Sequence, residues 1–184
     1  MDRSLIPTRY AKALLDYSKE VGMDKQVYSN IKHLAQNLSD HPEIKKAIEN
    51  PIISIDVKRK LIMTATGDNV CGAFSRFVDL IIQNKREGSI LLIILKFRDI
   101  YRKSNNLYYA KLTTVTSWKE ESIEKLKKTI LGDRPGSIEF HSVIDENIIG
   151  GFIVELDGNL LDASILGQLK LINKRVIEKN IRIV

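Results

Sequence analysis

The chain reads as mainly α, with an N-terminal six-helix bundle over residues 1–105 and a small α+β C-terminal domain over residues 106–184. Three observations carry this. Apolar residues recur at helical spacing between Gly, Pro and capping residues as far as Asn105. The period changes to strand-like alternation from Leu107 to Val115. Residues 138–169 then combine two apolar alternating segments, an acidic turn, an Asp-Gly turn and one more amphipathic segment.

The first helix runs from Ser4 or Pro7 to Glu20, with proline tolerated in the first turn and Gly22 as the stop. Ile6, Tyr10, Ala13, Leu14, Tyr17 and Val21 form one stripe, whose two tyrosines and alanine suggest a face that accommodates another helix. Asp24 is expected to cap helix two, with Val27, Ile31, Leu34 and Leu38 inward. Asp40, before His41-Pro42, starts a short third helix carrying Ile44, Ala47 and Ile48, which Asn50-Pro51 ends. Ser54 caps helix four (Val57, Leu61, Ile62, Ala65), and Gly67 closes it. Helix five follows Asn69 with Val70, Phe74, Phe77, Val78, Ile81 and Ile82, and breaks at Lys85-Arg86-Glu87-Gly88. Helix six spans about Ser89 to Asn105. Its first half is apolar all round, the pattern of a buried central helix.

In the second part, Tyr108, Ala110 and Leu112 alternate with Tyr109, Lys111 and Thr113. Ser117 to Glu120 has capping-box spacing for a helix with Ile123, Leu126 and Ile130, which Gly132–Gly136 ends. Two alternating apolar segments that flank Asp145-Glu146-Asn147 are expected to form a hairpin. The second strand opens on Gly150-Gly151 and places Phe152, Val154 and Leu156 on one face. Asp157-Gly158-Asn159 turns the chain, and Asp162 is the candidate N-cap of a last helix carrying Ile165, Leu169, Ile172 and Val176.

Composition narrows the function classes. In 184 residues, 43% are apolar and 28% charged, ordinary for a soluble globular protein. The excess of 29 Lys and Arg over 23 Asp and Glu gives +6, which a solvated surface explains, although nucleic acid, anionic lipid or an acidic protein would also suit it. Cys71 is the single cysteine, so an intrachain disulfide is excluded. The longest aliphatic run, Ile90 to Leu95, is far short of the roughly 20 residues that cross a bilayer. The start has neither a secretory apolar region nor a transit-like segment, so a soluble chain made where it works is expected.

Enzymatic motifs are missing. No G-x-x-x-x-G-K-[ST] sequence occurs, and Gly150-Gly151 before a strand is not a phosphate loop. His33, His41 and His141 lie in separate elements without ligand spacing, and nothing beside Cys71 would activate its thiol. Hence no catalytic residue, metal, cofactor or small-molecule substrate is expected. A basic nucleic-acid-binding adaptor is the rival reading. Lys58-Arg59-Lys60, Lys85-Arg86 and Lys170/Lys174/Arg175 could meet phosphates, and Tyr108 and Tyr109 could stack on bases. Acidic residues are scattered among these clusters, solvated helix faces explain them as well, and no nucleic acid is expected.

The stretch "IIGGFIVELDG" followed by "LLDASILGQL" resembles the C-terminal signature of the delta subunit of F-type ATP synthase, related to the mitochondrial oligomycin-sensitivity-conferring protein. "RYAKALLDYSKEVG" is similar to that family's first helix, and "FSRFVDLIIQNKREGSILLIILKFRDIYRK" to its fifth and sixth. The resemblance implies a non-catalytic stator subunit at the top of the peripheral stalk, one copy per complex. It implies a socket between helices one and five for the N-terminal helix of an alpha subunit, here Tyr10, Ala13, Leu14 and Tyr17 with Phe74, Phe77, Val78 and Ile81. It further implies contact between the C-terminal part and the C-terminal ends of the b subunits. The candidates are Gly150, Gly151, Phe152, Lys170 and Lys174, on the Gly150–Leu156 strand and the exposed side of the helix from Ser164 to Glu178. The implied location is peripheral, on the cytoplasmic face of a bacterial inner membrane, with a plastid thylakoid as the alternative. One departure is the Gly132–Gly136 turn, tighter and richer in Pro and Gly than the family leads one to expect.

Overall fold

The computed structural model describes residues 5–156 and 158–181, with side chains as far as Lys174. Asp157 of the expected Asp-Gly turn, the Ser4 helix start, and the side chains of Arg175, Val176 and Glu178 lie outside what it describes. Packing divides the chain into two units, Met1–Tyr101 and Arg102–Val184, so the division falls a few residues before the expected one.

The first unit contains α1 (Leu5–Glu20), α2 (Asp24–Asp40), α3 (Pro42–Glu49), α4 (Ile55–Thr66) and α5 (Gly72–Gln83). A 3-10 turn (Glu87–Ser89) then leads to α6 (Ile90–Ser104), whose last residues pass the division. Gly22 (φ 67) and Gly67 (φ 102) end α1 and α4 in backbone conformations that L side chains rarely adopt. The α2 stripe Val27, Ile31, Leu34, Leu38 is buried, together with Ile48, Ile62, Phe74, Val78, Ile81, Ile93 and Phe97.

Several expectations about caps and faces need correction. Asp24 is the first residue of α2, not its cap, and the N-cap position is Met23. Asp40 ends α2, while His41 stands at the N-cap of α3 with Pro42 following. Ser54 occupies the N-cap of α4, but its side chain makes no capping bond. Cys71, not Asn69, stands at the N-cap of α5, which leaves Val70 before the helix. In α4, Val57 is exposed and Lys58 turns inward, where its Nζ donates to Glu87 Oε1 at 2.7 Å. In α6, Leu92 and Leu95 are exposed while Ile90, Ile93, Ile94, Phe97 and Tyr101 are buried. That helix is thus amphipathic by packing, not a central helix buried all round.

The second unit contains β1 (Leu107–Thr114), α7 (Glu120–Leu131), β2 (Ser137–Ile144), a 3-10 turn (Glu146–Ile148), β3 (Phe152–Leu156), β4 (Asn159–Asp162) and α8 (Ile165–Ile181). The sheet order is β2-β1-β3-β4. β2 and β3 therefore form no hairpin, because β1 lies between them, parallel to β2 and antiparallel to β3. The crossover through α7 is what a parallel pair requires. The Gly158 turn instead makes the hairpin of β3 and β4, in the register Leu156↔Asn159. One sheet face carries Tyr108, Ala110, Leu112, Ile138, Phe140, Phe152, Val154 and Leu156, packed with Trp118, Ile123, Leu126 and Ile130. Ser117 does not cap α7, since the N-cap is Lys119. Asp162 closes β4, and Ser164 caps α8 through its Oγ, which accepts from Gly167 N at 2.9 Å.

Candidate partner-binding surfaces

On α1 the buried positions are Pro7, Ala11, Leu14, Leu15 and Ser18. The stripe read from sequence sits one step round the helix. Ile6 and Ala13 are exposed, Tyr10 and Tyr17 are half-buried, and only Leu14 belongs to the core. Facing it, α5 divides more sharply. Phe74, Val78 and Ile81 are 1%, 0% and 0% exposed, so an incoming helix cannot touch them without unpacking the unit. Phe77, 7% exposed, meets Tyr10 edge-on with ring centroids 6.5 Å apart. The outward residues of α5 are Arg76, whose Nη1 donates to the Tyr17 hydroxyl at 3.0 Å, and Leu80, 45% exposed. Sequence reasoning missed both. They lie four residues apart on the side away from the apolar stripe, and Leu80, directly before Ile81-Ile82, merges in sequence with the residues that fill the core. Ile6, Tyr10, Ala13, Tyr17, Arg76 and Leu80 are among the accessible residues of α1 and α5.

In the second unit the residues of the C-terminal signature act mainly on each other. Gly151 adopts φ 77, and a Cβ there would collide with the backbone carbonyl of Ala163. A Cβ on Gly150 would stand 2.6 Å from Ile165 Cδ1. This closeness lets Ala163 N donate to Phe152 O at 2.9 Å and Ile165 N donate to Gly150 O at 3.0 Å. Asp162 Oδ1 accepts from Ser164 N (2.9 Å) and Ser164 Oγ (2.6 Å), and these bonds hold its carboxyl below the usual range. The first turn of α8 is thereby tied to the start of β3. Gly150 and Gly151 do this by lacking side chains, and Phe152 packs edge-on against Trp118, with centroids 5.3 Å apart.

Beyond that first turn, Ile165, Leu169 and Ile172 are 46%, 48% and 56% exposed. At about 100° per residue these three share one side, and Lys170 and Lys174 point well away from it. The five residues proposed from sequence for the second unit thus fall into two glycines under α8, one half-buried ring and two lysines on the far side of the helix.

The basic clusters are partly consumed internally. Lys58 is paired with Glu87, and Arg59 Nε donates to Asp79. Tyr109 lies under Arg102, whose guanidinium carbon is 4.3 Å from the ring centroid, and stacks with His141 at 6.4 Å. Cys71 N donates to Asn30 Oδ1, and the thiol is half-buried. Among the described residues no group of three or more His, Cys, Asp or Glu is placed to hold a metal ion.

The model of one family, the ATP synthase delta (OSCP) subunit, matches residues 6–176. The chain belongs to the ATP synthase delta (OSCP) family. It is 38% identical to the ATP synthase subunit delta of Phocaeicola vulgatus over 181 residues, covering 98% of both chains. It is 33% identical to that of Bacteroides thetaiotaomicron, with both chains covered in full. Among solved structures it shares its fold with a chain of the Toxoplasma gondii mitochondrial ATP synthase hexamer, with a TM-score of 0.62 and 20% identity. That match covers 93% of this chain and 97% of the other. A delta (OSCP) subunit is a non-catalytic, peripheral-stalk component of the F-type ATP synthase, a membrane-associated complex. Among the described residues no helix is long and apolar enough to cross a membrane.

Proposed function

We propose that this delta (OSCP) subunit joins the catalytic head of the synthase to the membrane-anchored b subunits, so that the head is held against rotor torque. The six-helix part, residues 1–105, receives the N-terminal helix of an alpha subunit, and residues 106–184 meet the C-terminal ends of the b subunits. The complex stands on the cytoplasmic face of a bacterial inner membrane, with one copy of this chain. The observation that supports the head contact is the surface of Ile6, Tyr10, Ala13 and Tyr17 beside Arg76 and Leu80. It combines apolar anchors at helical spacing, a small residue at its centre and two aromatic rims, as helix-in-groove recognition requires. The half-buried rings keep their flanks accessible while their bodies are fixed from below, which limits the entropy lost when a partner docks.

Calorimetric titration with a synthetic peptide of the alpha subunit's N-terminal segment tests this. Saturable one-to-one binding that survives added salt is expected. Ala13→Trp, an exposed change that fills the centre of the surface, should abolish it while leaving the unfolding transition in place. Phe77→Asp is a poor test, because it buries a charge in the core. Unaltered binding by Ala13→Trp would move the alpha contact elsewhere on the molecule.

A further inference from the structure

β2 is an outer strand of the four-stranded sheet and runs for eight residues. Ser137 N donates to Asn106 O and Asp145 N donates to Thr114 O, so the odd-numbered residues of β2 turn their N–H and C=O groups toward β1. Ile138, Phe140, Ser142 and Ile144 therefore turn theirs to the open edge, as a row of donors and acceptors of the kind that recruits another strand. The apolar layer beside that edge is thinly covered. Phe140 and, on α7, Ile123, Leu126 and Ile130 are half-buried, and α7 has no buried residue. Ile144, at the end of β2 on the same face, is 60% exposed.

The side chains of β2 select the occupant. Glu139 and His141 share the sheet face away from α7, while Phe140 between them points the other way. Arg102 holds Glu139 at 3.8 Å, and His141 is exposed and stacked with Tyr109. A two-fold axis through Phe140 pairs β2 antiparallel with β2 of a second copy. Phe140 then stands opposite Phe140, and Glu139 opposite His141 on both sides of the axis. The outward groups of Ile138, Phe140 and Ser142 meet those of Ser142, Phe140 and Ile138 of the other copy. Each imidazole N–H can donate to the facing carboxylate, at the non-hydrogen-bonded positions where side chains stand closest. Moving the axis one residue either way sets Glu139 against itself or His141 against itself. The strand is thus complementary to itself in one register.

We propose that the unassembled subunit pairs with a second copy of itself through β2, in one continuous sheet that brings the two α7 helices together over the Phe140 rings. The single copy proposed for the complex makes this a state of the free protein, in which the β2 edge is closed. Sedimentation velocity of the full chain between about 1 and about 300 μM tests it. The wild type is expected to pass from monomer to dimer and no further, since a two-fold contact closes on itself. Ser142→Pro removes an outward donor without touching the β1 ladder, and His141→Glu sets two carboxylates opposite each other. Each should raise the dimer Kd about tenfold or more, whereas Ser142→Ala, which keeps the donor, should dimerise as the wild type does. Both disruptive variants should keep the wild-type urea midpoint of Trp118 fluorescence at about 1 μM, and should either lower it, the other variant decides. A wild type that stays monomeric throughout would overturn the proposal. A dimer that both variants retain would place the contact away from β2 and overturn it equally. A continuing series of larger oligomers would mean that unlike surfaces pair, and the two-fold contact would fall.

Discussion

Replacing Gly151 with alanine isolates what the signature glycines do. Two costs combine. An alanine at φ 77 loses about 1–2 kcal/mol relative to an ordinary backbone conformation. The new methyl also meets the Ala163 carbonyl, with Ala163 C and Ser164 Cα each 3.1 Å away, and backbone cannot yield as a flexible side chain does. Relief requires β3 and the start of α8 to separate, which breaks the Ala163–Phe152 and Ile165–Gly150 hydrogen bonds at about 1 kcal/mol each. The sum is about 3–4 kcal/mol. Gly158→Ala is the internal control: at φ 83 it suffers the same conformational penalty, but nothing lies within 4 Å of the added carbon. The difference between the two variants, about 2 kcal/mol, is therefore the clash alone. Trp118 is the chain's single tryptophan and packs against Phe152, so its fluorescence reports loss of this unit during urea unfolding. Gly151→Ala should have the lower midpoint of the two, and in thermal melts the gap should be about 8–16 °C for a unit of this size. Equal midpoints would refute the claim that close backbone approach, and not turn conformation, requires this glycine.

Other consequences are as direct. Lys58→Ala should cost about 3–5 kcal/mol in the first unit, because it strands the Glu87 carboxylate, one oxygen of which already lacks a partner; denaturant melts of the wild type and the variant measure it. Burial pushes the Glu87 carboxyl up, but the Lys58 hydrogen bond and charge, with its own backbone bond and Lys85, bring it below its ordinary value. A depressed acid contributes stability above its unfolded pKa and loses it as pH falls through the folded one, so the gap between the two proteins should close below about pH 4. Asn30→Ala removes the amide that donates to Asn69 O at 2.8 Å and accepts from Cys71 N at 3.0 Å. It should cost about 2–3 kcal/mol and quicken reaction of the Cys71 thiol with a disulfide reagent. Tyr17→Phe, which deletes the acceptor for Arg76, should change stability by less than about 1 kcal/mol.

The helical spans were legible because gaps between apolar stripes coincide with Gly and Pro, and α2 shows every expected inward residue buried. Caps were not, because the residue before a helix is chosen by backbone angles as much as by a side-chain acceptor. Met23, His41, Cys71 and Lys119 stand at N-caps without a side-chain capping bond. The sheet order was illegible for another reason: strand alternation records which face is inward and says nothing of the neighbour. The segments 138–144 and 152–156 look like hairpin arms from their spacing, yet both choose β1. For the α1 and α5 surface, the sequence showed where aromatic residues cluster but could not distinguish the layer under a groove from its lining. Burial places Phe74, Val78 and Ile81 in the first and Ala13 and Leu80 in the second.

Both lateral neighbours of β1 follow it in the chain. During synthesis β1 leaves the ribosome with two open edges. The first closes only when α7 and β2 have emerged, and the second waits for β3. Helices of the first unit have sequence neighbours to pack on almost at once, so the two units mature on different clocks. The interval before β3 appears is when β1 can pair with a foreign strand. A chain stopped before Phe152 is fixed in that interval, and it should collect in inclusion bodies even though every helix of the first unit is intact.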